Sequence, residues 1–289
     1  SLQIARDAGA RVIELDPTLP FSAARARNAG FDALEAGTGG APDLVQFVDG
    51  DCALAPGWLA AAARFLETRP DYAVAFGRLR ERHPEASVYN RLCDREWSGE
   101  PGEAEACGGI AMIRAEALRA VGGFDPSIIA AEDTELCLRL RRAEWRIRRL
   151  DAEMALHDAA MTRFGQFWRR AVRCGHAYAD VSRRHRGAPE RLFVRETRRA
   201  LAWGAAAPAA ALAATLLLPY GWAAFAVFPL QVARLARRGA PRMADSWRFA
   251  ALDVVGKIAE AEGIVRYWLR RLRRAPPEII EHKRATTAS

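Results

Sequence analysis

The chain has 289 residues, 51% of them hydrophobic, and a formal net charge of +8 carried almost wholly by arginine, with Lys257 and Lys283 the only lysines. That is enough apolar material for one large domain or two smaller ones. The five cysteines are scattered, show no Cys-x-x-Cys spacing and are odd in number, which sets aside a fully paired disulfide framework and favours a reduced, cytosolic setting.

The chain opens at Ser1 on residues that make no signal peptide and read as the back half of a helix, so a segment ahead of Ser1 is expected. Gly9 ends that helix, and Arg11–Leu15 reads as a short strand broken by Asp16-Pro17. An alanine-rich helix is expected from Phe21 to Ala36, then a glycine-rich loop over 37–42. Leu44-Val45-Gln46-Phe47-Val48 reads as a buried strand that stops at Asp49-Gly50-Asp51. Ala55-Pro56-Gly57 starts a further helix, and Tyr72–Phe76 is another strand. This alternation predicts an α/β fold with a mostly parallel sheet flanked by helices.

Arg78 to Gly102 is polar and reads as a long, partly helical surface excursion, of the kind that shapes a binding site. Gly108-Gly109 opens the segment Ile110–Arg114, and a short helix runs to Val121 before Gly122-Gly123-Phe124-Asp125. A helix from Ala131 to Leu140 carries Glu132 and Asp133 in its first turn. A strand over Trp145–Leu150, then His157, then a helix from Phe164 to Arg184 complete the first part.

Composition changes at Ala200, and no residue from there to Ala233 is charged. A straight helix of that length would run about 50 Å against a bilayer core of roughly 30 Å. Pro219-Tyr220-Gly221 sits where a turn would fall, and arginines flank both ends. The pattern predicts a hydrophobic hairpin at about 200–233, as two short spans or one re-entrant element with both ends cytoplasmic. A buried helical pair is the alternative. An amphipathic basic helix follows at about 245–274, suited to an anionic membrane surface or to packing on the main domain, and residues from Ala275 onward read as a tail.

In open α/β sheets, ligands bind beyond the carboxyl ends of strands. Two carboxylates there, Asp49 and Asp51, can hold a hard divalent cation, and the cation a diphosphate. An Asp-Gly-Asp turn is also ordinary turn chemistry, Glu132-Asp133 an ordinary helix start, and a single histidine more often structural than a ligand.

Taken in order, these pieces resemble a known family. The chain resembles the family 2 glycosyltransferases of GT-A fold, inverting enzymes that use nucleotide-sugars. The matching text is Ala24-Arg25-Ala26-Arg27-Asn28-Ala29-Gly30, Phe47-Val48-Asp49-Gly50-Asp51, Gly108-Gly109-Ile110-Ala111-Met112-Ile113-Arg114, Val121-Gly122-Gly123-Phe124-Asp125 and Ala131-Glu132-Asp133 through Leu140, with Trp145 and His157 after it. The resemblance covers about Ser1 to Arg186. It implies a catalytic domain over 1–190 and a helical, membrane-associated region over 191–289, similar to extensions of members that build bacterial surface polysaccharides.

By that resemblance Asp51 ligates Mn²⁺ or Mg²⁺, Asp49 meets the ribose or the metal, and His157 completes the metal site. Arg27 and Asn28 lie along the nucleotide, and Gly108 and Gly109 let the sugar approach the backbone. Asp133 is the catalytic base, ionised at neutral pH because the helix start favours the anion, and Glu132 positions it or the acceptor. The implied partners are a nucleotide-sugar donor, a lipid-linked or polysaccharide acceptor, and the cytoplasmic face of a bacterial inner membrane.

The family's usual first strand, which holds the nucleobase, would precede Ser1, so weak activity is expected of a chain without it. Two other readings are a polyprenyl-phosphate sugar synthase and a non-catalytic paralogue of the same fold. Nucleic acid is not an expected partner, since no recognition motif is present and the basic charge clusters near the apolar run.

Overall fold

The computed structural model describes residues 2–37, 40–238 and 245–274. The elements in order are α1 (Leu2–Asp7), α2 (Ala23–Glu35), β1 (Leu44–Phe47), β2 (Cys52–Leu54), α3 (Trp58–Thr68), β3 (Tyr72–Glu81), α4 (Val88–Trp97), β4 (Gly102–Glu103), β5 (Ala111–Arg114), α5 (Ala115–Ala120), α6 (Glu132–Arg142), β6 (Arg146–His157), α7 (Phe164–Arg184), α8 (Val194–Leu201), α9 (Ala207–Leu217), α10 (Val227–Arg238) and α11 (Ser246–Leu272). A π-helical stretch, Ala202–Ala206, joins α8 to α9, and a 3₁₀ turn, Gly221–Ala226, precedes α10. The chain divides into two compact units. One holds Ser1–Arg78 and Glu100–Ala155; the other holds Leu79–Gly99 and Leu156–Pro276.

The first unit is a mixed sheet in the order β1-β5-β3-β6-β2, with β4 paired to β6. β5 runs antiparallel to β1, placing Leu44 against Arg114 and Phe47 against Ala111, and it is antiparallel to β3 as well. β3 and β6 run in the same direction: the Arg146 amide bonds the Asp71 carbonyl at their start, and Gly77 lies against the Ala152 carbonyl further along. The α/β class read from the sequence is therefore present, with β5 reversed among its neighbours. The core lies between sheet and helices, where Trp58, Leu66, Ile113, Leu118, Leu136 and Ile147 are almost wholly enclosed. The indole N–H of Trp58 is satisfied by the Gln46 side chain at 2.8 Å, as a buried donor requires.

Three local expectations change. Arg11–Leu15 forms no strand: Ile13 is exposed, and Arg11 reaches the Ala33 carbonyl with its side chain instead of joining a ladder. β2 and β4 are three and two residues long, too short to leave a periodic signature. β3 and β6 run well past their apolar stretches, to Glu81 and His157.

The second unit is helical. The polar excursion supplies it with α4, whose Leu92 and Cys93 join Met161, Phe167 and Phe249 in one apolar cluster. Arg91 of α4 bonds Asp245 at 2.5 Å. The boundary expected at residue 190 thus falls inside this unit. α7 and α11 pack backbone to backbone. A β-carbon on Gly175 would lie 1.9 Å from the Glu260 carbonyl oxygen, and one on Gly263 would lie 2.0 Å from that of Val172. The continuous helical run Val194–Leu217, of 24 residues, is long and apolar enough to cross a membrane. α11 ends at Leu272, and the tail from Ala275 lies outside the described residues.

Candidate active site

The site grows from the start of α2. Ser22 is extended there and caps the helix, its hydroxyl oxygen accepting from the Arg25 amide at 3.1 Å. The same hydroxyl donates to the Pro126 carbonyl at 2.8 Å, which ties the first turn of α2 to the loop ahead of α6. Arg27 and Asn28 follow on this fastened turn.

Arg27 joins two acids from different elements. One guanidinium nitrogen donates to Glu132 at 2.5 Å and another to Asp49 at 2.8 Å. Two anions meeting one planar, permanently charged fork is the geometry arginine serves best. The Arg27 side chain is 12% exposed and that of Glu132 6%, whereas Asp49 is 44% exposed. Asp49 therefore keeps an open side, and its second carboxylate oxygen makes no hydrogen bond among the described residues. Burial pulls the Arg27 pKa down, but the fields of Glu132 and Asp49 outweigh it and the net shift is upward. Arg27 also lies 5.5 Å over the Phe124 ring.

Asp49 and Asp51 sit on a tight turn at the carboxyl end of β1, closed by the Cys52 amide donating to the Asp49 carbonyl at 3.0 Å. Asp51 accepts from the Cys52 thiol at 3.5 Å. Gly109 faces this corner. A β-carbon there would stand 2.7 Å from an Arg27 guanidinium nitrogen and 3.3 Å from an Asp49 oxygen, so glycine leaves room for the pair. Gly108 is left-handed, with open space where a side chain would stand.

Asn28, expected along the nucleotide, is engaged elsewhere. Its amide donates to the Phe124 carbonyl at 2.7 Å and accepts from the Phe124 amide at 2.9 Å. Both ends of the side chain thus hold the Gly122–Asp125 turn in place. Gly123 permits this, being left-handed at φ +71° and close enough that a β-carbon would meet the Asn28 oxygen at 2.8 Å. This fastening role had no signal in the sequence beyond the pairing of an Asn with a Gly-Gly-Phe turn far along the chain.

α6 begins at Glu132 after a left-handed Ala131, with three acids in its first turn and three arginines in its last, matching the helix macrodipole at both ends. Asp133 is pushed up to about 6. Burial is the largest cause and the neighbouring Glu132 charge adds to it, while Arg27 and the helix-start amides pull the other way. The sequence-based expectation of an ordinary ionised carboxylate is corrected in degree: Asp133 is still mostly ionised at neutral pH but is a considerably stronger base than a solvated aspartate. Directly behind it, the buried thiols of Cys107 and Cys137 lie 3.5 Å apart, and both are free.

A cavity of about 590 Å³ opens beside this cluster, with Arg11, Phe21, Arg27, Phe31, Phe47 and Asp49 among its walls. The first unit thus assembles Arg27, Asp49, Asp51, Gly108, Gly109, Glu132 and Asp133 in one place. His157 ends β6 in the second unit, where Trp97 packs edge-on against its ring at 4.5 Å; its assignment to a metal rests on the resemblance alone.

The chemistry this arrangement allows is proton removal by Asp133 beside a carboxylate pair suited to a divalent cation. Residues 44–237 match the model of the family described as glycosyl transferase family group 2. The chain belongs to that family and is a glycosyltransferase of GT-A fold. Among solved structures it is similar to the mannosyltransferase PcManGT from Pyrobaculum calidifontis, in complex with GDP-Man and Mn²⁺. That likeness has a TM-score of 0.54 at 20% identity and covers 91% of this chain and 72% of that one. Residues 1–349 of S. aureus TarS align over 92% of this chain and 76% of theirs at 14% identity, with a TM-score of 0.45 that adds no weight. No curated protein matches the chain.

Proposed function

We propose that the enzyme moves a sugar from a nucleotide-sugar to a hydroxyl of a lipid-linked or polysaccharide acceptor in cell-surface glycan synthesis, at the cytoplasmic face of a bacterial inner membrane. The observation that carries this reading is Asp133, raised to about 6 and placed beside an Arg27 that also holds Asp49 and Glu132. A hydroxyl is a poor nucleophile until a base takes its proton, and a base is most effective with a pKa near the working pH.

The acids at the β1 turn fit a divalent metal in kind. They offer hard carboxylate oxygens, which suit Mg²⁺ or Mn²⁺, and Asp49 retains an oxygen with no hydrogen bond among the described residues. Asp51 and Asp49 would hold the ion, with His157 as the further ligand that the resemblance suggests. When bound, the ion would offset the charge that grows on a departing diphosphate.

The chain's own residues do the rest. Arg27 fixes Asp49 and Glu132 in place through its two hydrogen bonds. Glu132 raises the basicity of Asp133, and Asp133 takes the acceptor proton. One base opposite the leaving group gives a single displacement with inversion. The 590 Å³ cavity takes the nucleoside side of the donor. The helical run Val194–Leu217, uncharged after Arg199, and the exposed Trp268 and Leu269 side of α11 hold the enzyme at the membrane.

 Both of these α11 side chains, Trp268 and Leu269, are more than two-fifths exposed, at 44% and 45%.

The test is a panel of nucleotide-sugars with and without Mn²⁺, following nucleoside diphosphate release and the anomeric configuration of the product. Asp51→Ala should abolish metal-dependent donor binding, and Asp133→Asn should cut transfer about 10²–10⁴-fold with donor binding kept. Near-normal transfer by Asp133→Asn would sink the hydroxyl-acceptor mechanism and favour an acceptor that is already anionic, such as a polyprenyl phosphate. Failure of every donor to bind would favour the non-catalytic reading.

A further inference from the structure

The helical unit contains a second cavity, of about 240 Å³, between the α8 end of the apolar run, α10 and α11. Arg199, Trp203, Gln231 and Lys257 line it with N–H groups, while Leu235 and Val254 give it apolar walls. The donors are not used up inside the protein. Neither Arg199 nor the Trp203 indole has a side-chain partner among the described residues. The Gln231 carbonyl oxygen accepts from Arg234 at 3.4 Å, which leaves its amide N–H₂ for something else. Lys257 bonds both Glu260 oxygens at 2.7 Å and so is charge-balanced. The one carboxylate in the lining, Asp253, is balanced by Arg95 at 3.4 Å. The cavity's net charge therefore comes from Arg199, and its unmet hydrogen-bonding capacity is donor in kind, which calls for an anion with several oxygens.

Its place in the fold limits which anion. Trp203 lies on the π-helical stretch Ala202–Ala206, and such irregular turns are frequent at functional sites. This stretch is held against α11 by Gly204, where a β-carbon would stand 1.8 Å from the Lys257 carbonyl oxygen, so Trp203 and Lys257 are fixed close together. Arg199 is the last charge before the uncharged run, and Arg234, Arg237 and Arg238 follow it. The far end of the run exposes Leu216, Leu217, Tyr220 and Trp222. A hairpin inserted by that end brings its basic base, and the cavity with it, to the level of lipid head groups.

We propose that this cavity binds the phosphate of a membrane lipid head group. The inference rests on the membrane reading given above and is independent of the transfer chemistry. It gives the apolar run a directed anchor, in which a phosphate meets Arg199, Trp203 and Gln231 while the acyl chains follow the hairpin.

The experiment is titration of the full chain in neutral detergent with short-chain phosphatidic acid, the matching diacylglycerol and inorganic phosphate, with no donor present. Phosphatidic acid should bind more tightly than either of the others. Arg199→Ala should weaken it about tenfold, and Trp203→Phe, which removes only the indole N–H, should weaken it several-fold. Arg195→Ala, an exposed arginine one turn earlier on α8, should leave it unchanged and controls for general charge. Equal affinity in Arg199→Ala and wild type, equal weakening by Arg195→Ala, or inorganic phosphate binding as tightly as the lipid would each overturn the site. Metal-dependent donor binding measured on the same preparations separates this outcome from failure of the transferase reading.

Discussion

Glycine has two different neighbours in the two units. In the α/β unit, Gly109 makes room for side chains: the atoms nearest its missing β-carbon are an Arg27 guanidinium nitrogen and an Asp49 carboxylate oxygen. In the helical unit, Gly175 and Gly263 make room for backbone, with carbonyl oxygens of the facing helix at 1.9 and 2.0 Å from where a β-carbon would be. The first kind of contact lets charged groups be set at chosen distances and still move. The second fixes two helices at a separation that no side chain can adjust. A catalytic corner needs the former and a helical platform the latter.

Installing the same methyl group in both places tests the distinction. Gly175→Ala should cost about 3 kcal/mol or more, because neither helix backbone can step aside. Gly109→Ala should cost about 1 kcal/mol, because an arginine terminus can swing. Its larger effect should fall on donor binding, through a displaced Arg27. Chemical denaturation of both variants reads the difference, and equal losses would remove the contrast.

The second test removes the group that organises the corner. Arg27→Met takes the cation from between two acids, and Glu132, with a side chain only 6% exposed, loses its partner. Stranding one member of a buried ion pair costs about 3 kcal/mol. Stability at neutral pH should therefore fall by about that amount, and Arg27→Lys, which keeps a cation, should lose less. Equal losses in the two variants would mean that Arg27 contributes through packing on Phe124 and not through charge.

The sequence made the ends of elements legible where chemistry marks them and left them obscure where packing does. The stop of β1 just ahead of Asp49, the acids that open α6, and the full span of α7 from Phe164 to Arg184 all carry local signals. β3 was readable only as far as Phe76. Its continuation through Arg78, Leu79, Arg80 and Glu81 alternates polar and apolar residues and looks like a surface loop without its neighbouring strands. α4 was legible as a helical part of a surface excursion, but its burial was not, because Leu92 and Cys93 gain their apolar surroundings from residues at 161, 167 and 249.

At the site, residue types were legible but partnerships were not. Arg27 could be placed along the nucleotide by resemblance, yet its bridge to Glu132 spans 105 positions. Asn28 meets Phe124 across 96 positions. Neither distance in sequence leaves a periodic trace. The basicity of Asp133 was hidden too, because the helix start that predicts a low pKa is local and the burial that overrides it is not.

Asp133 supplies the smallest effect and the one that separates function from stability most directly. A carboxyl whose folded pKa lies near 6, above the ordinary value of about 4, binds its proton more tightly in the folded protein than in the unfolded one. It therefore favours folding fully below about pH 4, and this contribution is lost as pH rises through about 6. At neutral pH the ionised, half-buried group is a liability. Asp133→Asn removes the charge and keeps the shape. The variant should be about 1–2 kcal/mol more stable than wild type at pH 7–8 and no different near pH 4, while transfer is lost. In the wild type, transfer should rise with pH through about 6 and then level off. Glu132→Gln, which removes the neighbouring negative charge, should move that rise to lower pH. Thermal unfolding across pH and the pH profile of kcat/KM read the two effects separately. A variant no more stable at pH 8 than at pH 4, relative to wild type, would show that Asp133 is solvated like any surface acid and that its basicity has another source.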